Sequence, residues 1–219
     1  MGFYIGSNYS KGMNMDQAVE RASKLDTATI SDALDKLGIK GQCLGIKPRD
    51  HSFRMTGRSY TIQYGPADVE PGTVGDYIDD LEPGTVVVLD NGGREDATVW
   101  GDILTCAAQE RGINGLVLDG CVRDADDIDA LNFPIFSRGL NILGTGKERG
   151  GSIGSPIRIG EVDIKLGDVV IGDRDGVVII PANKLEVVIE ASYAREEKED
   201  EVRRRLKNGE SSLEIYKFP

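Results

Sequence analysis

The chain has 219 residues, of which 39% are hydrophobic and 29% charged, and it carries a formal net charge of -11 with a sequence pI of about 4.7. Because this length suffices for one domain with a substantial core, we expect residues 1–219 to form a single domain. A surface this acidic repels the nucleic-acid backbone, so we expect no nucleic-acid binding, and a small anionic ligand would need a local positive site.

Four residues limit the kinds of metal site that the chain can form. Cys43, Cys106 and Cys121 have neither the spacing of a zinc site nor the even number of a disulfide framework, and we expect Cys106 and Cys121 to be small core residues. His51, the only histidine, lies in a polar stretch and is expected to be an exposed loop residue. Any metal must therefore be held mainly by oxygen ligands, which suits Mg²⁺, Mn²⁺ or Ca²⁺.

The first residues and the apolar runs of the sequence indicate where in the cell the protein is expected. The first residues lack the apolar core and small-residue cleavage site of a secretory leader. No apolar run is long enough to cross a bilayer. We therefore expect a cytoplasmic protein that does not bind a membrane.

In chain order, the hydrophobic pattern predicts a mixed α/β fold. A helix is expected over residues 15–37, with a break or a fresh start at Thr27 and an end at Gly38. Further helices are predicted at 75–81, 102–111, 125–131 and 181–208. Strands are predicted at 57–64, 85–90, 115–119, 133–136, 157–164, 169–172 and 177–180. Loops are predicted at 91–97 and 120–124, and an irregular glycine-rich segment at 139–156.

The strands at 85–90 and 115–119 and the helix between them form a predicted β-α-β unit. Such a crossover makes its two strands parallel, so both end at the same edge of the sheet, where the intervening helix begins. The helix start at Gly101 and Asp102 should therefore meet the loop that carries Arg123 and Asp124. This is the edge at which α/β proteins commonly bind ligands.

The residues at this edge suit an anionic 2-oxo acid. The free amides of Ile103 and Leu104 at the helix start favour a carboxylate, and Arg123 offers a permanently charged donor fork. Asp124 can ligate a hard cation, and Asp102 can ligate, hold a water or cap its helix. The same pattern also fits structural roles, in which Asp102 is only an N-cap and Arg123 and Asp124 form a loop ion pair or a helix cap.

These residues also resemble a known family. Asp102, twenty intervening residues, Arg123-Asp124 and the acid Asp127 match the pattern of the RraA-like aldolases, and residues 25–35, 115–124 and 166–181 match the family as well. The family includes the 4-hydroxy-4-methyl-2-oxoglutarate / 4-carboxy-4-hydroxy-2-oxoadipate aldolases and the regulator of ribonuclease E activity. The resemblance covers nearly the whole chain.

The resemblance implies an α/β fold, a swivelling β/β/α domain of RraA-like type with extra N- and C-terminal helices. It implies a homotrimer or hexamer with active sites at subunit interfaces. Asp124 would ligate Mg²⁺ or Mn²⁺, Asp102 would hold one of the metal's waters and Arg123 would contact the pyruvate oxygen. Gly101, Ile103 and Leu104 would bind the substrate carboxylate, and Glu199 would reach the site from an adjacent subunit.

The function implied is that of a class II pyruvate aldolase, which cleaves a 4-hydroxy-2-oxo acid and decarboxylates oxaloacetate as a side activity. One alternative is a non-catalytic regulator that binds an RNA-processing enzyme through its acidic surface. A second alternative is a methyltransferase, which would need a glycine-rich nucleoside-binding loop after a first strand. The segment Asn91-Gly92-Gly93 is a poor candidate for that loop.

Overall fold

The computed structural model describes residues 13–65, 75, 77–145 and 149–215. The helices are α1 (Met13–Ala22), α2 (Thr27–Lys36), α3 (Asp102–Glu110), α4 (Ala125–Leu131), α5 (Leu185–Lys207) and α6 (Ser212–Ile215). The strands are β1 (Lys47–Pro48), β2 (Met55–Gly65), β3 (Thr85–Thr98), β4 (Gly115–Val122), β5 (Ile135–Leu140), β6 (Arg149–Ile153), β7 (Ile157–Ile159), β8 (Val162–Ile164), β9 (Val169–Gly172) and β10 (Val177–Ile180). The predicted mixed α/β architecture is confirmed.

One large sheet organises the molecule. Its strand order is β1-β5-β4-β3-β2-β9-β10, and β6 pairs with β2 off this path. The four central strands β2, β3, β4 and β5 run parallel, whereas β1, β6, β9 and β10 are antiparallel to their neighbours. The strands β7 and β8 form a separate antiparallel hairpin.

Both faces of the parallel strands are covered, which explains their almost unbroken apolar sequences. On one face, Leu89 and Leu118 pack in the same cluster as Ala108 of α3 and Ile128 of α4. On the other face, Val88 and its neighbours pack against the β7–β8 hairpin. A third cluster joins α1, α2 and α5 to β9 and β10.

The predicted β-α-β unit is present. Strands β3 and β4 are parallel, with Asp90 opposite Asp119, and α3 connects them. The predicted break near Thr27 is also confirmed, because Asp26 caps α2 by accepting a hydrogen bond of 2.6 Å from the Thr29 amide. Gly38 follows the end of α2 with a φ of 66°, a conformation that glycine adopts without strain.

Several predicted boundaries were wrong. The loop predicted at 91–97 continues β3 as a bulged strand, because Arg94 and Thr98 still pair with β4 after the positive-φ residues Gly92 and Gly93. The loop predicted at 120–124 is strand up to Val122. The single strand predicted at 157–164 is two short strands joined by a turn. The segment predicted to be irregular contains β6.

The predicted environments of three other residues had mixed outcomes. His51 is exposed and Cys121 is buried, as expected. Cys106 is exposed, which corrects the prediction that it is a core residue. It lies on α3, whose buried positions are Thr105 and Ala108, so the helix turns Cys106 toward solvent.

The predicted C-terminal helix is present as α5, and its second half is highly charged. Leu185, Val188, Ile189 and Ser192 are its buried residues, all within the first half. The predicted helix at 75–81 lies partly outside the described residues, and the described part holds a 3-10 turn at Ile78–Asp80. In the described part of the chain, no helix combines the length and apolar character needed to span a bilayer.

Asp173 fastens α2 to the turn after β9, and its side chain is buried. It accepts hydrogen bonds from the Thr27 amide at 2.8 Å, the Thr27 hydroxyl at 2.7 Å and the Asp175 amide at 2.9 Å. Burial acts to raise the pKa of Asp173, but these bonds and the charge of Arg54 outweigh it and hold the pKa below its usual value. Folding therefore favours the ionised form of this carboxyl group.

This lowered pKa predicts a contribution to acid sensitivity. The stabilisation is present above the unfolded pKa of about 4 and is lost as the pH falls through the lower folded pKa. We expect Asp173→Asn to lower the free energy of unfolding at pH 7 by about 2 kcal/mol and to flatten its decline below about pH 4. Urea unfolding from pH 7 to pH 2 measures both. Asp163→Asn, at an exposed hairpin position, is the control, and an unchanged acid slope in Asp173→Asn would contradict the assignment.

Candidate active site

A cavity of about 250 Å³ lies where α3 begins and β4 ends. Its lining comprises Thr98, Val99, Trp100, Gly101, Asp102, Ile103, Leu104, Arg123, Asp124, Gly144 and Thr145. Six of these residues are the ones that the sequence placed at this edge of the sheet, namely Gly101, Asp102, Ile103, Leu104, Arg123 and Asp124. The fold therefore brings together residues that are far apart in the sequence.

A chain of hydrogen bonds around Trp100 holds the two sides of the cavity together. The Trp100 indole is 2% exposed and donates to the Thr105 hydroxyl at 2.8 Å, which in turn donates to the Gly101 carbonyl at 2.8 Å. The Arg123 amide donates to the Trp100 carbonyl at 3.2 Å. These bonds fix the end of β4 against the start of α3, and the buried Trp100 side chain is part of the hydrophobic core beneath the cavity.

Asp124 has an unusual backbone conformation. Its φ of 60° and ψ of 46° are left-handed, which costs roughly 1 kcal/mol or more for a residue with a side chain. It occupies the N-cap position of α4, yet its side chain makes no capping hydrogen bond there. The carboxylate instead contacts the Arg123 Nε at 3.3 Å. One of the structural roles left open by the sequence, an Arg123–Asp124 ion pair, is therefore present.

Gly101 makes room for the Asp124 carboxylate. A Cβ atom at Gly101 would overlap Asp124 Oδ2, so a side chain there would push this carboxylate away. Gly101 is also the N-cap of α3, and as a glycine it has no side chain that could cap the helix. Asp102 is consequently the first residue of the helix rather than its N-cap. Its side chain is partly buried and lines the cavity.

The start of α3 gives the cavity a positive end. The amides of Asp102, Ile103 and Leu104 belong to the first turn and have no acceptor within the helix, and the helix dipole adds to their attraction for an anion. The Arg123 guanidinium, half-exposed, faces the same space. The molecule as a whole is acidic, so this combination supplies the local positive site that a small anion needs.

The donor set fits a hard divalent cation that keeps much of its own water. Asp102 and Asp124 offer carboxylate oxygens in one cavity. Within residues 13–65, 75, 77–145 and 149–215, no group of three or more histidine, cysteine, aspartate or glutamate side chains could enclose a metal. Mg²⁺ binds in this way, through one or two carboxylates with water and substrate oxygens in the remaining positions.

The wall formed by Gly144 and Thr145 was missed by the sequence analysis. Its backbone hydrogen bonds to β3 run from the Thr98 amide to the Leu143 carbonyl at 2.7 Å and from the Thr145 amide to the Thr98 carbonyl at 3.1 Å. The only sequence signal was the richness in glycine of residues 139–156, which does not indicate where the segment packs.

Two predicted acids lie elsewhere in the chain. Asp127 is exposed on α4 and does not line the cavity. Glu199 lies on α5, where it forms ion pairs with Arg195 and Arg203, each at 2.8 Å. The chain does not bring Glu199 to its own cavity, so its predicted role depends on an adjacent subunit.

A sequence model of the RraA-like family, described as aldolase/RraA, matches residues 27–179, which include all the described residues that line this cavity. The chain belongs to the RraA-like family. "Putative 4-hydroxy-4-methyl-2-oxoglutarate aldolase" of Halalkalibacterium halodurans is 36% identical to this RraA-like chain. The alignment covers 83% of this chain and 84% of that relative. Protein DlpA of Legionella pneumophila is also 36% identical, over 94% of this chain, although the chain spans only 34% of that protein.

Solved structures agree with the family assignment. The RraA-like chain is similar to the Streptomyces coelicolor protein RraAS2, described as an unusual member of the RNase ES inhibitor RraA protein family. The TM-score is 0.78 with 26% identity, over 86% of this chain and 98% of RraAS2. The predicted α/β fold of RraA-like type is therefore confirmed.

Proposed function

We propose that this RraA-like chain is a divalent-metal-dependent aldolase that cleaves a 4-hydroxy-2-oxo acid to pyruvate and a second carbonyl product. The observation that carries this proposal is the shared cavity of Asp102, Arg123 and Asp124 at the start of α3. Names among the relatives support the reaction class, since a protein named as an aldolase of a 4-hydroxy-2-oxo acid aligns over most of this chain.

Each end of the substrate has a matching group in the cavity. The substrate carboxylate accepts hydrogen bonds from the amides of Ile103 and Leu104, which the helix dipole strengthens. The 2-oxo oxygen lies beside the Arg123 guanidinium, whose planar fork suits an oxygen that gains negative charge. Val99, Trp100 and Leu104 give the cavity an apolar lining beside these polar groups.

The reaction requires a proton acceptor and a stabilised enolate. Water held around Asp102 and by Glu199 of the partner subunit accepts the proton of the C4 hydroxyl, the C3–C4 bond breaks, and its electron pair forms the pyruvate enolate. A divalent cation, when bound at Asp124, supplies positive charge that polarises the 2-oxo group. Arg123 stabilises the enolate by a few kcal/mol, in the way of an oxyanion hole. Protonation at C3 then gives pyruvate.

The same enolate accounts for the proposed side activity. Oxaloacetate loses its C4 carboxylate as carbon dioxide, and the electron pair of the C3–C4 bond again enters the enolate. No separate proton acceptor is needed for this bond cleavage. Variants at Arg123 should therefore affect both reactions, whereas Glu199 variants should affect the aldolase reaction more strongly.

The proposed site is completed by a second copy of the chain, in a homotrimer or hexamer. Glu199 lies on the half of α5 beyond Ser192, where the structure records no buried residue. Such a charged helix can reach a neighbouring molecule while its own first half stays packed against α2.

The experiment that tests the proposed function measures pyruvate release. A panel of 4-hydroxy-2-oxo acids and oxaloacetate is assayed by coupled reduction of pyruvate, with Mg²⁺ or Mn²⁺ and then with excess EDTA. We expect turnover with the metal and near-complete loss with EDTA, restored by added metal. Full activity in excess EDTA, or trapping of a pyruvate adduct by borohydride, would contradict the metal-dependent route.

The second candidate is a regulator that binds an RNA-processing enzyme, a role consistent with the description of RraAS2 as a member of an RNase inhibitor family. The acidic net charge of -11 would favour a basic protein surface. Absence of pyruvate formation across the panel, together with binding to such an enzyme, would favour this candidate over the aldolase.

A further inference from the structure

Gly144 lies directly against the Arg123 guanidinium. A Cβ atom built at Gly144 would stand 2.5 Å from Arg123 Nη1 and 3.3 Å from its Cζ. Real Cβ atoms do not approach other heavy atoms so closely, so any side chain at this position requires the guanidinium or the loop to move. The φ of Gly144 is not in the left-handed region, so this close approach, rather than backbone strain, is what calls for glycine here.

The backbone on both sides of Gly144 is held firmly. The Leu143 carbonyl accepts from the Thr98 amide at 2.7 Å and from the Thr98 hydroxyl at 3.0 Å, and Thr145 donates twice to the Thr98 carbonyl, each bond 3.1 Å long. The Asn141 amide donates to the Val122 carbonyl at 3.1 Å, and the Asn141 side chain donates to the Glu95 carbonyl at 2.6 Å. The loop therefore cannot retreat easily, and the guanidinium must yield to an added methyl group.

On the other side, Arg123 is anchored by its own neighbour. Its Nε contacts Asp124 Oδ2 at 3.3 Å, and the Asp124 carboxylate in turn abuts Gly101. The guanidinium thus lies between an acid on one edge and a glycine on the other. Both ends of this arrangement depend on glycines that leave space for a charged group.

We infer that Gly144 is a positioning residue, which fixes the Arg123 guanidinium over the cavity because it presents backbone without a side chain. This inference rests on the proposed function for its effect on turnover. Its structural part, the placement of Arg123, does not depend on that function. Thr98 and Asn141 act one step further away, by fixing the loop that carries Gly144.

The test combines Gly144→Ala with Arg123→Lys in a double-mutant cycle. In the native background, Gly144→Ala should lower kcat/KM for oxaloacetate decarboxylation by about 10- to 100-fold, the usual effect of misplacing a reacting group by about 1 Å. In the Arg123→Lys background the added loss should be less than about twofold, because lysine has no Nη1 atom to collide with the methyl group. Additive losses in the two backgrounds would overturn the inference.

Two further measurements separate this inference from the proposed function. The crystal structure of Gly144→Ala should show the Arg123 guanidinium displaced. Oxalate is a dianion shaped like the pyruvate enolate, and its binding can be followed by quenching of Trp100 fluorescence. Its dissociation constant should be at least about tenfold higher for Gly144→Ala than for the native protein. An unmoved guanidinium would overturn the inference. Absence of turnover in the native protein would remove the proposed function and leave the structural result to decide.

Gly139→Ala is the matched control. Gly139 also lies outside the left-handed region, and among the described residues a Cβ there would meet Cys121 Sγ alone, at an ordinary 3.8 Å. It should leave kcat/KM and the position of Arg123 unchanged. Should Gly144→Ala fail to fold, Thr98→Val takes its place, because it removes the Thr98 hydroxyl bond that holds the loop. The double-mutant cycle then compares the loss of kcat/KM caused by Thr98→Val in the native and Arg123→Lys backgrounds, and additive losses would again overturn the inference.

Discussion

Arg123→Ala should lower kcat/KM for pyruvate formation by about 10²- to 10³-fold, the loss typical of removing one preorganised donor from a developing oxyanion. Arg123 is the one basic side chain among the described residues that line the cavity, so the described wall contains no second side chain to replace its charge. The effect should be similar for the aldol cleavage and for oxaloacetate decarboxylation, because both pass through the same enolate. Steady-state assays with coupled pyruvate detection measure it.

Two companion variants make the Arg123 result interpretable. Arg123→Lys keeps a positive charge but loses the planar fork, and it should recover part of the activity. Arg158→Ala removes an exposed arginine on the β7–β8 hairpin, which lies outside the cavity, and should change nothing. Activity of Arg123→Ala within threefold of the native enzyme would defeat the proposed mechanism.

Asp124→Asn should abolish most activity while preserving the fold. Asparagine has the same shape as aspartate and tolerates the left-handed backbone that residue 124 adopts, so the loss can be assigned to the missing charge. We expect kcat/KM to fall by more than about 10²-fold and the residual activity to respond weakly to added Mg²⁺. A Mg²⁺ titration of the decarboxylase rate measures both effects.

Asp126→Asn is the control for the Asp124 variant. Asp126 is exposed in the first turn of α4, two residues further along, and does not line the cavity. It should keep the native rate and the native Mg²⁺ requirement. If Asp124→Asn kept the same requirement at the native rate, the cation would have to bind elsewhere.

The part of the fold that positions the site could be predicted from the sequence. The two apolar runs that became β3 and β4 are long enough to be buried on both faces, and a crossover through a helix leaves only one common arrangement. That rule alone placed the start of α3 beside Arg123 and Asp124. The conformations of these residues are local consequences that the rule does not supply, such as the left-handed φ of Asp124.

The cavity wall and the strand bulges could not be predicted in the same way. Gly144 reaches the cavity because Thr98 hydrogen-bonds to the loop, and Thr98 itself is in place because β3 continues past Gly93. Both facts depend on pairings between distant segments, which leave no periodic signal in the sequence. The partly buried ion pair of 2.6 Å between Asp119 and Arg138 is a contact of the same kind.

Burial also changes the chemistry of residues that look ordinary in the sequence. Burial raises the pKa of Asp119 above its usual value, although the hydrogen bond and charge of Arg138 act in the opposite direction. Asp119 and Asp124 are both acids near the end of β4, yet only Asp124 opens onto the cavity. Residue type alone does not distinguish a structural acid from a candidate ligand.

Binding of Mn²⁺ to the native chain and to Asp124→Asn tests most directly whether a divalent cation sits on this carboxylate. Electron paramagnetic resonance of free Mn²⁺ gives the affinity of each protein, with and without oxalate. We expect a specific site in the native protein that oxalate tightens, and an affinity at least about tenfold weaker in Asp124→Asn, a difference of about 1.4 kcal/mol. Equal affinities in the two proteins, or no specific binding by the native chain, would contradict the assignment of a metal to Asp124.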